Sequence, residues 1–324
     1  MTPLASILRD QISRTGPISF QRFMDLALYH PQFGYYRRSR DPFGRQGDYY
    51  TAEQLQPVFG ILIAARIRDL FQELGRPEGF TLVELGAGRA EMAEAFSEFR
   101  YVPVDIEAGA LPQKFSGVVF ANEFFDALPV HVVIRRGGGF RQMRVAWKQE
   151  RFVWVEDEPV EGEIAGYLRR YTVLWEEGNL AEVNLEALRW VERLAQRLER
   201  GFLLTIDYGY TTRESARFPG GTLMSYRRHL ALEDVLADPG ERDITAHVCF
   251  TALQQHGATC GLHTVRFETL TQNLLAVGER DGFAAVLAAD SEAQRLRRRL
   301  QLKTLLFGLG ESFRVLLLKK AGPK

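Results

Sequence analysis

The stretch that decides the fold is "FTLVELGAGRAEMAEAFSEFRYVPVDI", residues 80–106. It begins with a short apolar run, turns through Gly86 and Gly88, and returns to an apolar run that ends at Asp105. The residues between, 90–99, have the composition of a helix. Glycines let a backbone turn tightly and approach a ligand closely. The order strand, glycine loop, helix, strand and acid therefore predicts a nucleotide-binding edge of a parallel sheet.

The glycine loop is compatible with two classes of ligand. Dinucleotide enzymes use G-x-G-x-x-G, but the third glycine is replaced here by Glu91, whose charge would face a pyrophosphate. A S-adenosylmethionine site suits the sequence better, because its sulfonium is a cation and Glu84 ends the first strand. A plain strand-to-helix turn with no ligand is the structural alternative.

Further acids follow neighbouring strands. Asp105 lies 17 residues after Gly88, where an acid can accept hydrogen bonds from both ribose hydroxyls. Asn122, Glu123 and Asp126 follow the next apolar run, "GVVFANE" (117–123). Because ligands of open parallel sheets bind beyond the carboxyl ends of the strands, we expect these side chains to converge. A carboxylate there can hold a guanidinium bidentately.

The remaining patterns predict an α/β fold with a mostly parallel sheet. Helices are expected over 4–13 and 19–30, followed by a long aromatic loop that includes residues 33–50. We assign 1–75 to an N-terminal helical and lid region and 76–324 to the core, with insertions near 130–180 and 210–247. Antiparallel hairpins are expected over 130–160, a helix over 186–201 closed by Gly201, and strands ending at Asp207 and over 313–320.

Composition indicates an ordinary globular protein. Of the 324 residues, 46% are hydrophobic, and Lys plus Arg equals Asp plus Glu at 41 each. This balance gives no bulk attraction to nucleic acid. Cys249 and Cys260 show no zinc spacing and fit a reducing compartment. Since the first residues contain no long apolar run, no membrane span is expected and the default location is cytoplasmic.

Several blocks together resemble a known family, the MidA-like S-adenosylmethionine-dependent methyltransferases, relatives of the mitochondrial complex I assembly factor arginine methyltransferase. The blocks are "GPISFQRFMDLALYHPQFGYY", "GDYYTAEQLQPVFG", "VELGAGR", "ANEFFDALPVHVV", "IDYGY", "GTLMSYRRH" and "DITAHVCFTAL". They occur in the family's order over most of the chain. The resemblance implies a class I methyltransferase fold, S-adenosylmethionine as cofactor, and an arginine of a protein partner, by analogy a respiratory complex subunit, as acceptor.

The resemblance also assigns residues. It carries cofactor contacts onto the following positions: Glu84, Gly86, Gly88, Asp105 and Asn122. It suggests Glu123 and Asp126 on the substrate side, and it suggests that Gly47, Asp48 and Thr51 close over the cofactor. His131, His229 and His247 also fall in family blocks. Their spacing does not favour a metal, and hydrogen-bonded structural histidines are expected.

Two departures from the family pattern matter. Ala90 replaces a glycine, which is tolerable if the backbone there keeps a negative φ. Only ten residues, 107–116, connect the second strand to the third, whereas the family fits a helix, a strand and another helix there. Ten residues span roughly 33 Å, enough to cross two strand spacings of about 4.8 Å each. In the family, the residues missing from this connection form a wall of the adenine pocket. A non-catalytic binding protein or assembly chaperone is therefore the alternative function.

The aromatic loop and one late helix remain. Residues 33–50 hold six aromatics and four arginines, which favour a lid that excludes water over nucleic-acid stacking. A loop packed over the sheet edge with solvated arginines is the structural alternative. A basic helix over 291–303 is interpreted as a solvated surface, with docking of an acidic partner as the lesser alternative.

Overall fold

The structure is a computed structural model that describes residues 1–38, 52–106, 108–173, 176–227 and 230–322. The predicted lid residues Gly47, Asp48 and Thr51 lie outside these ranges, as do His229 and most of the aromatic loop. Among the described residues, no helix is both long enough and apolar enough to cross a membrane.

The described helices and strands follow in chain order. The α-helices are α1 Pro3–Thr15, α2 Phe20–Tyr29, α3 Val58–Glu73, α4 Gly162–Tyr171, α5 Leu185–Arg197, α6 Phe250–Thr259, α7 Leu270–Gly278, α8 Ala284–Leu287 and α9 Glu292–Lys303. The strands are β1 Ile18–Ser19, β2 Phe80–Leu85, β3 Arg100–Val104, β4 Phe115–Asn122, β5 His131–Arg136, β6 Gly139–Lys148, β7 Arg151–Pro159, β8 Leu180–Val183, β9 Leu198–Tyr210, β10 Met224–Arg227, β11 Leu230–Leu232, β12 Asp243–Thr245, β13 Val248–Cys249, β14 Leu262–Thr269 and β15 Phe313–Lys320. Short 3-10 helices add Tyr35–Arg37, Ala52–Gln54, Thr212–Arg217 and Glu279–Asp281, and a π-helical turn adds Thr304–Leu309.

The chain divides into two compact units. The hairpin unit comprises the described residues of Met1–Tyr50, Asp126–Arg189 and Tyr210–Ala252. The sheet unit comprises those of Thr51–Phe125, Trp190–Gly209 and Leu253–Lys324. Glycine-loop and strand-end residues up to Glu123 belong to the sheet unit, whereas Asp126 is counted with the hairpin unit.

The sheet unit is built on a mixed sheet with strand order β14-β15-β9-β4-β2-β3. Strands β3, β2, β4 and β9 pair with one another in parallel. Strand β15 is antiparallel to β9, and β14 is antiparallel to β15. The fold class α/β is confirmed, but the sheet is mixed and a mostly parallel sheet is not confirmed. Every residue of β2 is buried, as expected for a strand covered on both faces. Helix α3 contributes Phe59, Ile63 and Ile67, four residues apart, to the core that includes Val118 and Phe120 of β4.

The short connection after β3 works as the sequence predicts. Strands β3 and β4 pair with opposite sides of β2 in parallel register, so the connection crosses two strand spacings. No helix lies between them among the described residues. The chain turns back because the Asp105 amide donates to the Ala108 carbonyl at 2.8 Å. Gly109 follows with φ 75°, and a Cβ there would lie 2.0 Å from the Pro103 carbonyl oxygen. Only glycine fits this turn without backbone movement.

Gly109→Ala is therefore expected to lower the free energy of unfolding by about 2 kcal/mol, from left-handed strain and the backbone contact together. Urea unfolding followed by circular dichroism measures this change. Two controls separate the causes. Gly75→Ala has φ 78° but open space and should cost only the strain, about 1 kcal/mol. Gly79→Ala has neither problem and should be nearly neutral. If Gly109→Ala matches Gly79→Ala, the described turn is wrong.

Gly201 does not end a helix, and that prediction is wrong. Helix α5 ends at Arg197, and Gly201 lies inside β9 with φ 152°. It pairs with Gly117 of β4, and a Cβ on Gly201 would lie 1.9 Å from the Gly117 carbonyl oxygen. Gly117 stands in the same relation to Thr81 of β2. These glycines allow three neighbouring backbones to approach closely, which is a strand role of glycine.

The hairpin unit has an antiparallel sheet of order β1-β6-β5-β8, with β7 paired to β6. Helices α1 and α2, which confirm the predicted N-terminal helices, bury Leu8, Phe20 and Phe23 in a core with Val132 and Val145 of the sheet. Helix α1 is capped by Thr2, and α2 by Ser19, whose side chains accept backbone amides. The predicted hairpins over 130–160 are confirmed as β5, β6 and β7.

Candidate functional site

The glycine loop follows directly after β2. Gly86 and Gly88 are exposed and have φ 68° and φ 49°, the left-handed region that glycine occupies without cost. A Cβ on Gly86 would lie 3.1 Å from Cδ2 of Phe124, which follows β4. The loop therefore has a close neighbour on one side and open backbone on the other, the arrangement that a glycine-lined ligand site requires.

The helix predicted over 90–99 does not form. Residues 88–98 are a succession of turns, in which amides donate to the carbonyl three residues earlier. Examples are the Ala90 amide to the Ala87 carbonyl and the Ala93 amide to the Ala90 carbonyl. Ala90 has φ 54°, so the condition under which the sequence analysis considered this alanine tolerable, a negative φ, is not met. A left-handed residue cannot continue a right-handed helix and costs about 1–2 kcal/mol in a non-glycine residue. The glycine loop is therefore followed by turns and not by the helix that the sequence analysis predicted.

Asp105 faces the glycine loop. One of its carboxylate oxygens accepts the Gly88 amide at 2.7 Å, and the other accepts the Ile106 amide at 2.6 Å. The two backbone donors fix the rotamer of the carboxylate at the end of β3. Each carboxylate oxygen still has a lone pair for a further donor, because it can accept two hydrogen bonds. The predicted proximity of Gly88 and Asp105 is thus what the structure has.

Glu84 is the penultimate residue of β2 and is almost fully buried, with 1% of its surface exposed. The Tyr101 hydroxyl of β3 donates to its Oε2, whereas its Oε1 is buried with no hydrogen-bond partner among the described residues. Burial raises the pKa of Glu84 to about 7; the Tyr101 hydrogen bond opposes this rise, and the charges of Glu91 and Asp105 add to it. Tyr101 was not predicted as a site residue, because a half-buried tyrosine in a strand is usually packing.

Asn122 and Glu123 end β4 beside the loop. Glu123 has φ 50°, an uncommon conformation for a non-glycine residue that recurs at functional sites. Its Oε1 accepts the Asn122 side-chain amide and the backbone amide of Ala52, each at 3.1 Å. Asn122 is 5% exposed, and its Oδ1 has no hydrogen-bond partner among the described residues. This strand end therefore presents acceptor oxygens rather than donors.

Glu53 is a site residue that sequence reasoning missed. It lies in the 3-10 helix Ala52–Gln54 and is 9% exposed. Burial raises its pKa well above the usual value, and the charges of Glu84, Glu123 and Glu91 raise it further, while a hydrogen bond from Asn122 lowers it. The segment around Glu53 has no periodic pattern, but Glu53 lies in the family block "GDYYTAEQLQPVFG", and that is the signal that could have drawn attention to it.

Asp207 has a structural place. It is fully buried in β9, where its two oxygens accept the amides of Phe125 and Tyr208 at 2.9 Å each. It thus holds the backbone that follows Glu123. Asp126 is 5% exposed, and its carbonyl accepts the Ala246 amide within the hairpin unit. Asp126 is counted with the hairpin unit and Glu123 with the sheet unit.

The described histidines were tested for metal-binding geometry. No group of three or more His, Cys, Asp or Glu residues is placed to hold a metal within the described ranges. Burial lowers the pKa of His131 and of His247. The Nδ1 atom of His131 lies 3.1 Å from the Gln142 side-chain amide, which agrees with a structural role.

The fold and the loop define an α/β protein with a nucleotide-type site whose acids suit a cationic ligand. Residues 97–268 match the family described as "S-adenosyl-L-methionine-dependent methyltransferase". The match covers more than half of the chain, which therefore belongs to this family, the MidA-like methyltransferases. Its cofactor is S-adenosylmethionine, as the sequence analysis predicted.

Relatives and solved structures agree with this assignment. The chain is 30% identical to "Protein arginine methyltransferase NDUFAF7 homolog, mitochondrial" of Drosophila melanogaster, over 80% of this chain and 70% of that one. It is 27% identical to the Homo sapiens NDUFAF7 protein, over 85% and 74%. A COG1565 superfamily crystal structure from Burkholderia thailandensis, bound to S-adenosyl-homocysteine, has a TM-score of 0.88 and 28% identity, over 99% of this chain and 92% of that chain. The cytoplasmic location predicted above is wrong by this comparison, since the relatives are named mitochondrial.

The residues present fit the cofactor. The orphaned oxygens of Glu84 and Asn122 are buried acceptors that need N–H donors, and the cofactor carries an ammonium group. The open backbone at Gly86 and the fixed carboxylate of Asp105 suit a close nucleoside.

Proposed function

We propose that this protein is a class I methyltransferase and that it methylates an arginine side chain of a protein partner. The acidic end of β4 is the observation that carries the proposal. Glu123 accepts hydrogen bonds from the Ala52 and Asn122 amides, so the orientation of its carboxylate is fixed. A fixed carboxylate can accept two N–H donors from a guanidinium. The named activity of the relatives supports the same acceptor.

Each residue has a role in this proposal. The cofactor supplies an electrophilic methyl group on a sulfonium. Gly86 and Gly88 allow close approach of the nucleoside. Asp105 accepts hydrogen bonds from the ribose hydroxyls of the nucleoside. Glu123 orients the guanidinium so that one nitrogen is directed at the methyl group, and alignment of this kind supplies several kcal/mol. Glu123 or water takes the proton that the nitrogen loses.

Other predictions remain part of the proposal. They include cofactor contacts from Glu84 and Asn122, a substrate-side role for Asp126, and a closing role for Gly47, Asp48 and Thr51. The boundary near residue 75 and a respiratory complex subunit as partner are likewise proposed, the latter from the resemblance alone.

Glu123→Gln is expected to lower kcat/KM for methyl transfer about 30-fold, because a neutral amide replaces the charge-assisted contact with the guanidinium. Methyl-labelled S-adenosylmethionine is incubated with the enzyme and arginine-containing protein, and the acid hydrolysate is examined for methylarginine. Glu94→Gln, an exposed change of the same kind on the same unit, is the control. Label in another amino acid would refute the arginine acceptor, and an unchanged rate in Glu123→Gln would refute the role of Glu123.

A further inference from the structure

The acidic cluster, defined as Glu53, Glu84, Asn122 and Glu123, has an excess of acceptors. The carboxylates of Glu53 and Glu123 share a single side-chain amide, that of Asn122. Two of the cluster's buried oxygens, Glu84 Oε1 and Asn122 Oδ1, have no hydrogen-bond partner among the described residues. A buried acceptor without a donor costs free energy, so such a pair of atoms indicates a missing donor.

The missing group must be a cation. Neutral donors such as hydroxyls would satisfy single lone pairs but would leave the buried carboxylates of Glu53 and Glu84 to repel each other. An ammonium or guanidinium group supplies both several N–H donors and the opposite charge. The cofactor's amino-acid part carries an ammonium group, and the cluster adjoins Gly86, where the cofactor loop begins.

Glu53 reaches the cluster from a different chain segment. Strands β2 and β4 supply Glu84, Asn122 and Glu123, whereas Glu53 belongs to the 3-10 helix that precedes α3. That helix is fixed to β4 because the Ala52 amide donates to Glu123. Glu53 and Glu123 also share the Asn122 side-chain amide as a donor. Glu53 is therefore linked to the end of β4 in two ways, through the Asn122 amide and through the hydrogen bond of its neighbour Ala52 to Glu123.

We infer that Glu53 is a further cation-binding residue of this site, and that the acidic cluster holds a proton until the ammonium group of the cofactor binds and the proton leaves to solvent. The buried carboxylates of Glu53 and Glu84 repel each other, so they cannot both be ionised without a counter-charge. An incoming ammonium supplies that charge and makes the ionised form favourable. The inference depends on the cofactor and not on the identity of the methyl acceptor.

Proton release is measured by titration calorimetry with S-adenosylhomocysteine at pH 7.5, in buffers of different ionisation enthalpy. We expect release of about half a proton to one proton per site in the unchanged protein. 5′-Methylthioadenosine, which has the nucleoside but lacks the amino-acid part, is the matched ligand and should release almost none. This comparison needs no variant, so it stands even if a substitution impairs folding.

Glu53→Gln should reduce the proton release with S-adenosylhomocysteine by at least half and weaken its binding about 10-fold. It should leave the affinity for 5′-methylthioadenosine within about threefold. Glu94→Gln, exposed on the same unit, should change neither quantity. Glu53→Asp, which keeps the charge, should restore part of the proton release.

Three outcomes would overturn the inference. The first is equal proton release with both ligands. The second is an equal loss of affinity for both ligands in Glu53→Gln, which would make Glu53 a support of the loop rather than a cation ligand. The third is unchanged S-adenosylhomocysteine binding with a raised KM for an arginine peptide, which would reassign Glu53 to the guanidinium of the acceptor. Failure of arginine methylation alone would leave the calorimetric result intact, so the two proposals fail separately.

Discussion

Asp105→Ala is expected to lower the affinity for S-adenosylhomocysteine about 1,000-fold, the equivalent of about 4 kcal/mol. Two losses add up to this value. The ribose hydroxyls lose an ionised acceptor, and hydrogen bonds to charged groups contribute about 1.5–3 kcal/mol each. The Gly88 amide also loses the carboxylate that fixes it at 2.7 Å, so the exposed loop is no longer held in its binding conformation.

Titration calorimetry measures the affinity, and Asp105→Asn divides the effect. The asparagine keeps one carbonyl acceptor for the Gly88 amide but removes the charge, so it should lose about 30-fold rather than 1,000-fold. Asp290→Ala, an exposed change in the same unit, should bind normally. Unfolding curves of the free variants show whether the fold is kept. If the affinity of Asp105→Ala for S-adenosylhomocysteine is within tenfold of that of the unchanged protein, the ribose does not bind at Asp105.

The contact of Gly88 with Asp105 was predictable because it depends on topology alone. Parallel strands that pair directly must end at the same edge, and both residues follow paired strands, β2 and β3. The short connection to β4 was predictable for the same reason, since its length and the strand spacing decide whether it can cross.

Local backbone geometry was harder to predict. The composition of residues 90–99 favours a helix, but the left-handed φ of Ala90 interrupts it at its first turn. Gly201 has the sequence context of a helix stop, yet its place opposite Gly117 is a tertiary requirement that the local sequence does not reveal. Tertiary contacts overrode local propensity in both cases.

Glu53 could not be found from pattern because burial, not spacing, makes it part of the site. A glutamate after an aromatic loop is usually a solvated surface group. Its inclusion depends on the Ala52 amide reaching Glu123, a contact between segments 71 residues apart in the chain. Sequence therefore identified the strand-end half of the site, and the half contributed by the segment before α3 required coordinates.

The free energy of unfolding is expected to fall by about 3 kcal/mol as pH rises from 4.5 to 8, through Glu84 alone. The pKa of this carboxyl is about 7 in the folded protein against an ordinary 4.5. The folded state therefore holds the proton more tightly than the unfolded state. Stability is full below about pH 4.5 and is lost progressively up to about pH 7, at about 1.4 kcal/mol for each pH unit between the two pKa values.

The measurement compares urea unfolding of Glu84→Gln with that of the unchanged protein at several pH values. Subtracting the two curves removes most other titrating groups, and the difference should grow in favour of the variant by about 3 kcal/mol between pH 4.5 and 8. Glu94→Gln should give a flat difference, because that side chain is exposed. Tyr101→Phe should steepen the pH dependence, since it removes the hydrogen bond that lowers the pKa of Glu84. A flat difference for Glu84→Gln would mean that water reaches the carboxylate in the folded protein, and the donor-deficient cluster would then have no need of a cation.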